Sequence, residues 1–256
     1  MAIHQNADIH PTVVLGENVT VGAFTTLGPG VKIGNTTTIG PNVLITNGTV
    51  VGSGCSIFHG ASIGGDPQIS EFKDIPSTVE IGENTVVREY VTIHRSAKEN
   101  EKTLIGKDCL LMAYAHIAHD CRIHDHVIIV NSAGISGHVV VEEHAFVSGI
   151  VGVHQFIRIG KYSMTGGMTR ITQNILPFSM VEGNPARLRG INAVGLRRSD
   201  FSPKERAELK KAIKLILQPE LNTSQAIEKI ETEIEMSEEI RYLVNFIKKS
   251  DRGIVK

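Results

Sequence analysis

A chain of 256 residues with 41% hydrophobic and 21% charged residues has an ordinary soluble composition and is long enough to bury a real core. Its formal net charge of −1 gives no general attraction to nucleic acid, and no apolar run reaches the length of a membrane span. MAIHQNADIH lacks the basic-then-apolar order of a secretion signal, and Cys55, Cys109 and Cys121 are too scattered for a disulfide framework or a CxxC metal site. A reducing, cytoplasmic compartment is expected.

In chain order, the first feature is a repeat. From Ile9 an aliphatic residue returns at every sixth position, through Leu15, Val21, Leu27 and Ile33 to Ile63. Glycine follows many of them, as in LGENVT, LGPGVK and IGNTTT. The phase breaks at DPQISEFKDIPS, returns at Ile81, Val87 and Ile93, breaks at SAKENEKT, and runs from Ile105 to Ile171. Helices repeat near 3.6 residues and strands near 2, so neither alone makes six. A short strand plus a turn does, with three such units closing one triangular coil. Glycine is expected to ease the corners, and each aliphatic residue to stack inside on its equivalent 18 residues away. The two breaks read as loops thrown out from the stack. Each cysteine lies two places before an aliphatic position, where a small buried residue packs.

After about residue 178 the period fails, and MVEGNPARLRGIN reads as an irregular connection. SPKERAELKKAIKLILQ then offers Ser202 as an N-cap, Pro203 in the first turn and helical spacing beyond. TSQAIEKIETEI and SEEIRYLVNFIKK read the same way. The expected division is a β domain over 1–187 and a helical domain over 188–256.

Four of the 11 histidines, His116, His119, His124 and His126, crowd into LLMAYAHIAHDCRIHDHV. The period tests what they meet, because residues 18 apart occupy one position on successive coils, about 4.8 Å apart at strand spacing. His119, Gly137 and Gln155 form one column; Asp120, His138 and Phe156 form the next. An imidazole beside a glycine backbone and an amide, with a carboxylate and second imidazole close by, has the parts of an acyl-transfer site. His124 and His126 have no comparable partners and read as exposed turn residues. Three imidazoles with an open position would also suit catalytic zinc, and the hexads alone would suit a non-catalytic scaffold. Between Arg158 and Arg198 the basic residues are Arg158, Lys161, Arg170, Arg187, Arg189, Arg197 and Arg198, against the single acid Glu182. Such asymmetry suits an anionic ligand or an acidic partner.

Hexads of the form aliphatic-Gly-x-x-small-x resemble the left-handed parallel β-helix proteins; the hand is implied by that resemblance, since spacing does not fix it. REYVTIHR at 88–95, HIAHDC at 116–121, GH at 137–138, HQF at 154–156 and EGNPA at 182–186 occur in that order before a helical C-terminus. The ordered set covers nearly the whole chain and resembles the UDP-N-acetylglucosamine acyltransferase family of lipid A biosynthesis. The resemblance implies a mainly β, left-handed parallel β-helix of hexapeptide repeats with a C-terminal α-helical domain, assembled as a homotrimer. It implies transfer of a 3-hydroxyacyl chain from acyl carrier protein to the 3-position of a UDP-amino sugar, with no metal or redox cofactor. In its terms His119 is the general base, Asp120 orients it, and the Gly137 N–H steadies the oxyanion. His116, His138, His154 and Gln155 line the nucleotide-sugar and acyl sites. Gly167, one coil above Gly149, matches the acyl-length ruler, while Asn192, Arg198 and Arg197 match nucleotide contacts. Trimeric β-helices also include zinc carbonic anhydrases, but that likeness leaves Asp120, the GH pair, HQF and the helical C-terminus unexplained.

The chain departs from the family pattern in its first loop. Pro67-Gln68 is followed by Ile69, where relatives commonly carry an aspartate, and Glu71 replaces a lysine. Either Asp66 or Glu71 substitutes for the missing carboxylate, or the acceptor is a 3-amino sugar. Ser199 stands where the family is often basic, which implies a looser phosphate grip.

Overall fold

The computed structural model describes residues 2–256. It is a parallel β-solenoid of about 10 turns followed by four short helices. Most strands are two residues long, such as Thr20–Val21, Thr26–Leu27 and Lys32–Ile33, and in these the second residue is buried while the first is not. From Thr20–Val21 to Arg170–Ile171 each strand pairs in parallel with the strand three earlier, and with the last two strands the sheets hold 11, 9 and 8. The register is the expected one, with Thr20 on Thr38, Thr26 on Leu44 and Lys32 on Val50. The inner column, including Leu27, Ile45, Ile63, Ile93 and Ile117, is fully buried. At roughly 1.5–3 kcal/mol per buried aliphatic side chain, this column is the main support of the stack.

Glycine has two tasks. Gly30, Gly48, Gly54 and Gly60 take left-handed corners as expected, with φ between 63° and 72°, whereas most glycines that directly follow an aliphatic residue do not. A Cβ on Gly22 would lie 2.6 Å from the Gly40 carbonyl carbon, and one on Gly82 would lie 2.6 Å from that of Gly106. They are required because adjacent coils approach too closely for a side chain. Other left-handed corners fall on non-glycine residues such as Asn18, Asn84, Asp120, His138 and Tyr162, with φ between 54° and 63°. Asn and Asp tolerate that conformation better than other non-glycine residues.

These corners define three edges of a prism. One carries Asp120, His138 and Phe156. A second carries Asp108, His126, His144 and Tyr162, and the third carries Tyr90, Tyr114, Ser132, Ile150 and Met168. The third edge is apolar and open: Tyr114, Ile150 and Met168 are 60%, 63% and 71% exposed.

Two loops leave the stack where the hexads break. They occupy 66–77 and 95–101, and they lengthen the register so that Ile63 pairs with Ile93 and Ile93 with Ile117. Cys55, Cys109 and Cys121 are buried free thiols, as their phase implied, and burial pushes them up to about 11, 11 and 12.

The segment read as irregular is an antiparallel hairpin. Ser179–Glu182 pairs with Arg187–Ile191 and extends the 11-stranded sheet, so the 187/188 division falls inside its second strand. The pattern was masked because the coil period ends there while Val181 and Leu188 still face inward. Four helices follow: α1 (Ala193–Arg198), α2 (Pro203–Ile216), α3 (Thr223–Glu233) and α4 (Glu238–Lys248). Ser202 caps α2 in a reciprocal box with Glu205, and Asn222 and Ser237 cap α3 and α4. The helix α1 has no counterpart in the sequence reading; it is six residues long and presents too little periodicity to detect.

Candidate active site

The site is built at the corner His119–Asp120. Asp120 occupies the left-handed region at φ 61°, and its N–H donates to Thr103 Oγ1 at 2.8 Å. Its side chain is only 7% exposed. The carboxylate accepts from Ser96 Oγ at 2.5 Å, from His119 Nδ1 at 2.7 Å and from the Ala97 N–H at 3.3 Å. Burial pushes this carboxyl upward, but the hydrogen bonds from Ser96, His119 and Ala97, together with nearby His138, outweigh it and hold Asp120 below the usual range. An ionised Asp120 is acceptor-only, so His119 Nδ1 carries the hydrogen and Nε2 carries the lone pair.

Nε2 lies against Gly137. A Cβ there would fall 2.6 Å from both Nε2 and Cε1, so only glycine admits the ring in this position. The Gly137 N–H donates to no acceptor among the described residues, and the same holds for His119 and Gln155 at this position of neighbouring coils. The coil leaves these donors unpaired, and Gly137 is buried and is the one of the three that carries no side chain of its own. His138 stands on the other side, its Nε2 3.7 Å from Asp120 Oδ2, and its ring stacks on Phe156 at 4.5 Å. Burial, helped by His119 and Lys98 and opposed by Asp120, holds His138 below the usual imidazole range.

His116 accompanies the pair. Its Nδ1 meets Thr92 Oγ1 at 2.8 Å and its ring lies edge-on to His94 at 5.1 Å. Burial, with His94 and His119, lowers it. His94 Nδ1 in turn faces the Asp66 carbonyl, and buried Arg95 holds Asp66 and Asp74 and lies over Phe72. The first loop is therefore tied to the site through 94–95. Asp66 is occupied by Arg95, so of the two substitutes considered for the missing aspartate only exposed Glu71 has no ion pair among the described residues.

The structure does not bring every expected residue to this corner. His154 and Gln155 are exposed on the coil beyond Gly137, and His154 Nδ1 turns to the Gln155 carbonyl at 3.3 Å. Gly167 does stack on Gly149, where a Cβ would meet the Gly149 oxygen at 3.5 Å. Both, however, belong to the edge of Ile150 and Met168, not to the edge of Asp120. Asn192 is 8% exposed: its Oδ1 accepts from the Gly195 N–H at 3.0 Å and its Nδ2 donates to the Tyr162 carbonyl at 2.9 Å. It fixes the start of α1, whose last turn carries exposed Arg197 and Arg198, with Ser199 as its C-cap.

Two basic residues are committed internally. Arg158 pairs with Glu142 at 2.6 Å and lies over Phe246, and Lys161 lies over Tyr242 at 4.1 Å, so both fasten the helices to the coil. Arg189 pairs with Glu182 at 3.0 Å. Arg170, Arg187, Arg197 and Arg198 remain exposed and without a carboxylate partner among the described residues. His126 and His144 stack at 4.6 Å, and His144 stacks on Tyr162, so exposed His126 does have partners.

His94, Ser96 and Thr103 were not singled out from the sequence. His94 lay within a quoted motif, but the loop at 95–101 changes the coil offset and hides who faces whom. As for metals, donor atoms of His119, Asp120 and His138 lie within 4.8 Å of one another. Asp120 Oδ2 is already engaged by His119 Nδ1 at 2.7 Å.

A hexad solenoid that sets an imidazole–carboxylate pair against a glycine with an unpaired N–H defines an acyltransferase of the hexapeptide-repeat class. Residues 102–137 match the bacterial transferase hexapeptide model, and residues 174–255 match the second domain of UDP-N-acetylglucosamine O-acyltransferase. The UDP-N-acetylglucosamine acyltransferase of Bacteroides fragilis is 40% identical, superposes with a TM-score of 0.96, and is matched over 99% of each chain. That of Francisella novicida is 33% identical with a TM-score of 0.94, over 99% of this chain and 93% of its own. An acyl-[acyl-carrier-protein]–UDP-N-acetylglucosamine O-acyltransferase of Gloeothece citriformis is 46% identical over 82 residues, 32% of this chain and 30% of that relative's length. The chain belongs to the UDP-N-acetylglucosamine acyltransferase family.

Proposed function

We propose that this chain moves a 3-hydroxyacyl group from acyl carrier protein to the 3-position of UDP-N-acetylglucosamine or its 3-amino analogue, the first step of lipid A biosynthesis. The observation that carries the reading is His119 Nε2 packed against Gly137, whose N–H has no acceptor among the described residues, with Nδ1 held by Asp120. The acceptor's 3-hydroxyl oxygen bonds to the thioester carbonyl carbon while its proton passes to His119 Nε2. Asp120 steadies the imidazolium, and the Gly137 N–H donates to the oxyanion. Collapse breaks the C–S bond, and the leaving thiolate takes the proton back from His119. Neutral His116 and His138 flank the base as hydrogen-bonding groups for the sugar and phosphate. His154 and Gln155 extend the same edge, and Arg197 and Arg198 offer charge to the nucleotide. No metal or redox cofactor takes part.

The working unit in this account is a homotrimer in the cytoplasm. Support comes from the prism itself. Gly167 and His119 lie on different edges of one chain, so one acyl tail can meet both only where the edge of a second copy faces the first. The open apolar edge of Tyr90, Tyr114, Ile150 and Met168 is the surface such a contact would cover. Three unpaired thiols suit a reducing compartment, and no helix of the described residues is long and apolar enough to cross a membrane. Mass spectrometry of products from a panel of 3-hydroxyacyl donors and both acceptors tests the function. An ester or amide at the sugar's 3-position is expected, and no product with any donor refutes it.

A further inference from the structure

The loop at 95–101 looks like a mere break in the repeat, yet it encloses the carboxylate of the catalytic pair. Ser96 is fully buried and donates from Oγ to Asp120 Oδ1 at 2.5 Å. The next residue, Ala97, points its N–H at Oδ2 at 3.3 Å. Ser96 is itself held on both sides. Its Oγ accepts the Lys98 N–H at 3.0 Å, and its carbonyl accepts from Ser77 Oγ at 2.6 Å, at the foot of the other loop. Its single hydroxyl hydrogen has one strong destination, the anionic carboxylate; the alternative acceptor, the Lys98 carbonyl, is 3.4 Å away.

This arrangement fixes the Asp120 carboxylate in one orientation. Oδ1 is occupied by Ser96, so Oδ2 is left to take the hydrogen of His119 Nδ1 at 2.7 Å. Without Ser96 only Ala97 and His119 hold the carboxylate, both at Oδ2, so its turning about χ2 is less restrained and its grip on the imidazole's tautomer loosens. Ser96 lies 24 residues before Asp120, the same offset that pairs Ile93 with Ile117, so the six-residue lengthening of the register makes it Asp120's counterpart on the preceding coil.

We propose that Ser96 is a positioning residue for acyl transfer, acting through Asp120 on the His119 base. The inference rests on the acyltransferase reading above for its kinetic arm. A second arm reads the unliganded protein, so failure of one is distinguishable from failure of the other.

The experiment compares wild type, Ser96→Ala and Ser96→Thr. Loss of one charge-assisted hydrogen bond should lower kcat about tenfold with little change in KM. The acid limb of kcat/KM should move, because Ser96 bears through Asp120 on the His119 base. Ser96→Thr keeps the hydroxyl and should restore the limb; where its extra methyl prevents folding, Ser96→Ala alone decides. In the second arm, carbon-13 NMR follows the Asp120 carboxyl, identified by its loss in Asp120→Asn, and it should titrate at higher pH in Ser96→Ala. A merely structural role would reduce the folded fraction and leave both pH readouts unmoved. An unmoved Asp120 titration in folded Ser96→Ala overturns the proposal whatever the activity. So does a kcat within twofold of wild type on an unmoved acid limb.

Discussion

The sharpest perturbation of this site is a single methyl group, Gly137→Ala. Its Cβ would lie 2.6 Å from both Nε2 and Cε1 of His119, whereas carbon contacts settle near 3.5 Å or beyond, so the ring must retreat by about 1 Å. The obstacle is a side chain and not backbone, so the coil itself should fold. Retreat, however, lengthens the 2.7 Å bond to Asp120 and moves Nε2 off the line to the acceptor hydroxyl. Misplacement by about 1 Å commonly costs on the order of 100-fold, which is the expected fall in kcat, with KM and Tm little changed. If both changes act through the imidazole, Gly137→Ala combined with His119→Ala should be no slower than His119→Ala alone. The assay is steady-state acyl transfer from a 3-hydroxyacyl carrier protein, beside thermal unfolding of each variant. Gly137→Ala with near-normal kcat would show that the ring does not work from this position, and the reasoning would fall.

Gly167→Met should shift the preference to shorter donors, because its Cβ meets only the Gly149 oxygen at an ordinary 3.5 Å and the rest of the side chain enters the open edge; an unchanged profile in a donor panel places the tail elsewhere. Ile69→Asp restores a carboxylate to the first loop and should raise kcat/KM for the hydroxyl acceptor relative to the 3-amino acceptor, by about the tenfold or more that a charge-assisted hydrogen bond supports. A native enzyme that already prefers the hydroxyl strongly, with no gain in the variant, removes any substrate meaning from Ile69. Stability should fall on acidification below the ordinary imidazole value of about 6.5: burial and the neighbours His94 and His119 hold His116 below that value, so the unfolded chain binds more protons in this window. Tm measured from pH 7.5 to 5.5 should decline less steeply in His116→Gln, and equal slopes would contradict the assignment.

The period of six made most of the fold legible, because each coil repeats a local rule and stacks only on its neighbours. The same arithmetic placed His119 beside Gly137 and Asp120 beside His138. It reaches further along the chain. Gly167 lies 48 residues after His119, which is two coils of 18 plus 12, and so falls on a different edge. His126, His144 and Tyr162 are likewise 18 apart and were legible as a stack. Other features had no local signal. The commitments of Arg158 to Phe246 and of Lys161 to Tyr242 join positions more than 80 residues apart through the docking of α4. The donors on Asp120 come from an insertion whose length breaks the rule that would have located them. Glycine enrichment has two physical causes that look alike in sequence: Gly30 and Gly48 take corners with positive φ, while Gly22 and Gly82 lie where two backbones touch.

The central claim is that His119 takes the proton in acyl transfer. Its most direct test is kcat for His119→Ala against wild type, with 3-hydroxyacyl carrier protein and a UDP-amino sugar, on protein shown to be folded and equally assembled. The account predicts a loss of about 10²–10⁴-fold, the usual range for a removed general base. Turnover within a few-fold of wild type would contradict it.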